Sequence, residues 1–198
     1  MSPRTSEQFK RLRQDKKSLI MEAALELFAE RGFHGSSISQ IAKKAGISKG
    51  LTYNYFESKN EILEEIIDHG LHEIQSLFDP NHDGILTEEE FISFINKSFD
   101  IVKNNLRHWK LFFSLMLQPI VSESFMSKYL KVGEPTFKMM YDFIAGKGSK
   151  DPEGDLMIIS AMIEGAFLYA IVAPEIFPID VMKEKINDGI SRIIHLNN

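Results

Sequence analysis

Apolar residues recur along this chain at the spacing of helices. In the first long segment Leu19, Ala23 and Leu27 form one stripe, and Ile20, Ala24 and Phe28 form the stripe beside it. No alternation of the strand type has useful length. The pattern predicts a helix over 15–30, closed by Gly32 after Arg31. Ser36 and Ser37 offer N-caps for a short helix over 38–44 that Gly46 ends, and Ser48 caps a further segment over 49–56. After the turn at Glu57 and Ser58 a longer helix covers 59–77. Beyond a loop at 79–86, helices are predicted at 88–105, 108–117, 120–145, 154–173 and 179–196. Pro119, Pro152, Pro174 and Pro178 fall at or near the breaks, where proline is tolerated. The predicted fold class is all-α, with about nine helices and no internal repeat.

Composition then narrows the setting. The 198 residues contain no cysteine, which removes disulfides, thiolate metal sites and cysteine nucleophiles together and fits a reducing compartment. No apolar run reads as long enough to span a bilayer, since the best, 156–172, carries Glu164 near its middle. Arg4, Lys10, Arg11 and Arg13 have no apolar segment behind them, unlike a secretory signal. The expected location is the cytoplasm. The net charge of −5 hides an asymmetry: residues 1–60 hold eleven Lys/Arg against six Asp/Glu, whereas residues 61–198 hold twelve against twenty-two. A basic first third joined to an acidic remainder points to an acidic partner for the former, either a nucleic acid or an anionic membrane. The expected domains are therefore 1–60 and 61–198.

Three short helices with two tight turns inside a basic segment describe a helix-turn-helix, here with its motif at 37–56. Ile38, Ile41, Ala42 and Ile47 form its buried side, Ala45 admits close helix approach and Gly46 makes the turn. Ser48, Lys49 and Gly50 open the second helix, where backbone N–H groups, the helix dipole and a lysine can meet a phosphate. Tyr53 and Tyr55 add hydroxyls and flat faces, and Asn54 can bond a base edge.

At these residues the chain resembles the tetracycline-repressor (TetR) family of bacterial transcription regulators. The resemblance runs from Ile20-Met21-Glu22-Ala23-Ala24-Leu25-Glu26-Leu27-Phe28 and Arg31-Gly32-Phe33, through the motif, to Phe56-Glu57-Ser58-Lys59-Asn60-Glu61-Ile62-Leu63. It covers about the first third of the chain, and the rest agrees in length and helicity. One departure is Thr52, where members of the family usually carry an apolar residue before the tyrosine. Carried over by position, the family's DNA contacts fall on Ser37, Lys49, Gly50, Leu51, Tyr53, Asn54 and Lys59. Lys49 and Lys59 would neutralise phosphates, Tyr53 would bond a phosphate oxygen and Gly50 would permit close backbone approach. Leu51, Thr52 and Asn54 are the candidates for base-edge contact. Tyr55 reads at least as well as packing within the small domain, and Lys43 and Lys44 read as a solvated face. The segment 4–17 is an arm reaching a groove or a basic tail without fixed structure.

The resemblance further implies a homodimer through the last two helices, at 156–172 and 179–196, a palindromic double-stranded DNA operator, and release from it by a small-molecule effector. Small residues Ser160, Ala161, Gly165, Ala166 and Ala170 would allow close packing, as they would in the core of a monomer. The middle helices offer Trp109, Phe112, Phe113, Met116, Phe137, Met140 and Tyr141 as a candidate ligand pocket, although an aromatic stripe at helical spacing also makes an ordinary core.

A second motif competes. Residues 79–90 satisfy D-x-[DN]-x-[DN]-G-x5-E in full and so resemble an EF-hand calcium loop. Side-chain oxygens of Asp79, Asn81 and Asp83, the carbonyl of Ile85, Thr87 directly or through water, and bidentate Glu90 would surround Ca²⁺, with Gly84 making the sharp turn. Against this, Thr87-x-x-Glu90 is also a capping box, and Asp, Asn, Pro and Gly compose any surface turn. His69 and His72 share a helix face but no third ligand can be named. Gly146-Lys147-Gly148-Ser149 lacks the strand and preceding glycine of a phosphate-binding loop, and no catalytic triad is recognisable, so no enzyme is expected. The leading expectation is a ligand-responsive DNA-binding regulator; the alternative is a calcium-binding protein that uses 79–90.

Overall fold

The structure is a computed structural model that describes residues 6–194. Among the described residues the chain forms nine helices and no strand: α1 (Ser6–Arg31), α2 (Ile38–Lys44), α3 (Lys49–Tyr53), α4 (Lys59–Gln75), α5 (Glu88–Asn104), α6 (Leu106–Met116), α7 (Pro119–Gly146), α8 (Pro152–Val172) and α9 (Ile179–Ile193). The all-α expectation holds, and most boundaries move by one to three residues. The chain forms two compact units. The first combines Met1–Gly70 with Ser114–Phe125, and the second combines Leu71–Phe113 with Met126–Asn198.

The first unit packs around side chains that the helical stripes supply. Ile20, Ala24 and Phe28 of α1, Ile41 of α2, and Ile62 and Ile67 of α4 are completely buried. The hairpin between α6 and α7 adds Leu115 and Val121, also completely buried. Its Gln118 closes the C-terminal end of α1: Nε2 donates to the Phe28 carbonyl at 2.8 Å, and Oε1 accepts from the Phe33 N–H at 3.1 Å. Phe28 lies in the last turn of α1, where carbonyls lack intrahelical partners, so one amide satisfies two backbone groups that the helix end leaves open.

The beginning of α1 differs from the expected 15. Residues 6–14 are helical as well, a mostly polar run in which Glu, Gln, Lys, Arg and Leu have good helix propensity and Phe9 and Leu12 are too few to make an apolar stripe. Residues 6–17 are therefore helical rather than a tail without fixed structure. The Arg13 guanidinium lies 5.2 Å from the Tyr55 ring centre and donates to the Asn54 carbonyl, while Lys17 pairs with Glu65 at 2.9 Å. Arg4, and residues 195–196 of the expected last helix, lie outside the described residues.

In the second unit α5 packs on α8 and α9, and α8 on α9. Phe91, Ile95, Phe99, Ile159 and Ile190 are buried, and the rings of Phe99 and Phe167 meet at 4.7 Å. Two crossed ion pairs, Lys103 with Asp180 and Lys183 with Asp100, join α5 to α9 at the surface. The hydrogen bond from Lys103 holds the Asp180 carboxyl below its ordinary range. That contribution to stability is present above the ordinary carboxylate range and is lost as pH falls. Burial, and then a hydrogen bond to Glu164, push the Tyr129 hydroxyl well above its ordinary value. One expectation is corrected here: with Pro152 at its first turn, α8 is 21 residues long and apolar enough, by length and composition, to cross a membrane. Glu164 is not enough to disqualify it on those criteria.

Candidate nucleic-acid interface

Local chemistry builds the helix-turn-helix. Ser37 caps α2 in a reciprocal box: its N–H donates to Gln40 Oε1 at 2.8 Å, and the Gln40 N–H donates to its Oγ at 3.3 Å. After Ala45 the chain reverses at Gly46, whose φ of +67° is a left-handed conformation that costs glycine little. The Ile47 N–H then returns to the Ala42 carbonyl at 3.0 Å. Ser48 caps α3 by accepting from the Leu51 N–H at 3.1 Å.

The five-residue α3 and its C-cap turn Lys49, Gly50, Tyr53 and the cap residue Asn54 outward, all exposed. Tyr53 is 48% exposed, and the Lys49 ammonium lies 6.0 Å from its ring centre. A side chain at Gly50 would meet no heavy atom within 4 Å, so the space above its backbone is open. Leu51 is half-buried. Ser37 is exposed at the start of α2 with its hydroxyl engaged in the capping box.

Thr52 is corrected as a base reader. It is completely buried, and its Oγ1 donates to the Ser48 carbonyl at 3.2 Å. It occupies the inward position among exposed Lys49, Gly50, Tyr53 and Asn54. Thr52→Val is expected to cost about 0.5–1.5 kcal/mol for the lost hydrogen bond and to leave operator sequence preference unchanged. Urea denaturation and a binding-site selection check the two halves, and a changed preference would contradict the inward placement.

Lys59 has intramolecular partners besides the phosphate contact expected of it. Its ammonium donates to the Phe33 carbonyl at 2.6 Å and the Ser36 carbonyl at 2.9 Å, and lies 4.3 Å from the Phe33 ring centre. It ties the α1–α2 turn to the start of α4. Tyr55 is half-buried beneath Arg13, as the packing reading expects. Lys44 pairs with Glu26 at 2.5 Å rather than forming a purely solvated face, whereas Lys43 is exposed.

The candidate pocket residues are not all brought together. Trp109 and Phe112 of α6 are buried with ring centres 5.4 Å apart, and Phe113 lies 6.4 Å from Trp109. They form a filled aromatic cluster. Met116 is buried but belongs to the first unit. On α7 Met140 is buried, Tyr141 is 43% exposed, and Phe137 lines a shallow open groove with Leu130, Lys131 and Glu134.

At 79–90, Thr87 caps α5 and Glu90 returns the bond, with Oε2 accepting from the Thr87 N–H at 3.0 Å and from its Oγ1 at 2.8 Å. Asn81, Asp83 and Ile85 are exposed, while Leu86 is buried. No group of three or more His, Asp or Glu side chains converges as it would on a metal ion among the described residues, either here or at His69 and His72.

A helix-turn-helix with an exposed lysine on its second helix is the arrangement of a DNA-binding module. Residues 20–66 match the family described as bacterial regulatory proteins, tetR family. This N-terminal stretch is therefore similar to the helix-turn-helix segment of that family. Among curated relatives, a fatty acid metabolism regulator protein of Bacillus subtilis is 50% identical over 44 residues, which is 22% of this chain and 23% of that protein. The transcriptional regulator LuxR of Vibrio harveyi is 28% identical over 95 residues, 48% of this chain and 46% of that protein. The chain thus spans less than half the length of these two relatives. Among solved structures, NalD, the secondary repressor of the MexAB-OprM multidrug efflux pump in Pseudomonas aeruginosa, superposes with a TM-score of 0.68 at 18% identity, covering 90% of this chain and 96% of that one. A SmeT–triclosan complex gives a TM-score of 0.72 at 19% identity, covering 90% and 91%. At these identities the likeness shows the fold alone.

Proposed function

We propose that this chain is a homodimeric repressor that binds a palindromic operator in double-stranded DNA and leaves it when a small molecule binds the second unit. The observation that carries this is the outward face of Lys49, Gly50 and Tyr53 on α3 and of its C-cap Asn54, within a segment whose net charge is positive. Lys49 and Tyr53 hold phosphates, Gly50 admits the backbone, and Asn54 reads a base edge, with half-buried Leu51 beside it. Ser37 brings the start of α2 to the phosphates.

One such module reads one half-site, so a second copy is required for a palindrome. Support for pairing through α8 and α9 comes from α8, which leaves Met157, Ala161, Leu168 and Val172 exposed along one stripe with Glu164 among them. The effector is an apolar small molecule that binds the second unit, where Phe137 lines an open groove with Leu130, Lys131 and Glu134. Triclosan in the SmeT complex and the fatty acid regulators among the relatives support that class. Action in the cytoplasm follows from contact with the genome.

The test is a fluorescence titration against the DNA upstream of the chain's own gene at several salt concentrations. Saturable binding of two chains per palindrome, with affinity falling steeply as salt rises, is expected. Binding to no palindrome there, or binding indifferent to salt, overturns the proposal.

A further inference from the structure

Residues 79–90 lie outside the reading just given, and their chemistry serves neither DNA nor an apolar effector. Oxygen-bearing side chains fall on alternate positions, Asp79, Asn81 and Asp83, followed by Gly84 and then Glu90 as the twelfth residue. The backbone is wound accordingly. Asp79 Oδ2 accepts from the Gly84 N–H at 3.1 Å, Asn81 Oδ1 from the Asp83 N–H at 3.2 Å, and Asp83 Oδ1 from the Ile85 N–H at 2.8 Å. His82 and Gly84 take φ of 59° and 74°, curling the segment tightly. Phe78 and Leu86, both buried, fix the segment to the core of the second unit on either side of this curl.

Those bonds account for a folded turn. They do not account for Asp79 Oδ1, which is wholly shielded from solvent and has no hydrogen-bond partner. A carboxylate oxygen taken out of water without a donor is among the costlier things a fold can hold, and natural proteins leave few of them. No Lys or Arg occurs within 79–90 to neutralise it, against five carboxylates. Lys147, from the end of α7, pairs with Glu88 beyond the curl. A divalent cation supplies what this oxygen lacks.

We propose that 79–90 is a calcium site. Asp79 Oδ1, the side chains of Asn81 and Asp83 and the backbone carbonyl of Ile85 form one side of the shell, with water held by Thr87. Glu90 completes it. Its Oε2 is bonded to Thr87 when no ion is bound, so binding requires that carboxylate to turn from the helix cap towards the ion. The cap itself survives, because the Glu90 N–H still donates to Thr87 Oγ1. Calcium fits better than magnesium: a flexible shell of carboxylate, amide and carbonyl oxygens suits an ion that takes six to eight ligands, whereas magnesium demands a rigid octahedron and keeps its waters.

The test is calorimetric titration of the full chain, stripped with a chelator, using CaCl₂ and then MgCl₂. One calcium per chain is expected, with a dissociation constant on the order of 10⁻⁴ M or tighter and magnesium at least ~10-fold weaker. Glu90→Gln preserves an acceptor at the third position of the α5 cap, so the helix stays intact while the bidentate charge is lost. It is expected to weaken calcium binding at least ~10-fold, and Asp79→Asn to do likewise. Circular dichroism confirms that both variants fold. No heat from the unmutated chain at millimolar calcium overturns the proposal. So does calcium binding that both folded variants retain at full strength, because the ion then sits elsewhere.

Discussion

Replacing Lys59 by alanine is expected to destabilise the first unit by roughly 2–4 kcal/mol while leaving the salt dependence of DNA binding unchanged. The ammonium makes two short bonds to the carbonyls of Phe33 and Ser36 and sits over the Phe33 ring. Charged hydrogen bonds contribute about 1.5–3 kcal/mol each, discounted here because Lys59 is only half-buried. Removing the side chain leaves two carbonyls of the α1–α2 turn without that donor and frees the start of α4 from the turn. Denaturant midpoints measure the first effect. The plot of log affinity against log salt measures the second, since a lost phosphate contact would lower its slope by about one. Unchanged stability with a reduced slope would return Lys59 to the DNA.

Lys49→Ala and Asn54→Ala are expected to weaken binding in different ways. Lys49 stands on the exposed face of α3 with no carboxylate paired to it among the described residues, so its charge is free for phosphate. Its loss should weaken binding to all sequences alike and reduce the salt slope by about one per half-site. Asn54 presents an exposed amide one turn beyond Gly50, while its own carbonyl is held by Arg13. Its loss should cost about 1–3 kcal/mol against the preferred base and relax discrimination at that position. Competition titrations on a set of single-base operator variants separate the two profiles. Coincident profiles would refute the division between positioning and reading.

Much of this arrangement was legible in the sequence wherever an apolar stripe or a cap announced it. The motif at 37–56 announced itself through serine caps, an inward set of Ile and Ala, and a glycine at the reversal. What escaped did so for identifiable reasons. A single-turn helix has no periodicity to decide which of its five residues faces inward, so Thr52 was legible only through its departure from an apolar type. The role of Lys59 depends on backbone acceptors 23 and 26 residues upstream, and carbonyls leave no trace in a side-chain pattern. Residues 6–14 continue α1 on propensity alone. Gln118 went unnoticed because an uncharged amide beside a proline belongs to no motif, although it bonds across 85 and 90 positions.

That amide bears on how such a regulator can be taken apart. A chimaera built by joining residues 1–70 to a foreign sensor would sever the reader from 114–125, stripping Leu115 and Val121 from its interior and the Gln118 bracket from the end of α1. The reader is modular in sequence but not in space, because a short hairpin borrowed from far along the chain is part of its body. A transplant that carries that hairpin across, spliced within α6 and α7, would move the whole unit.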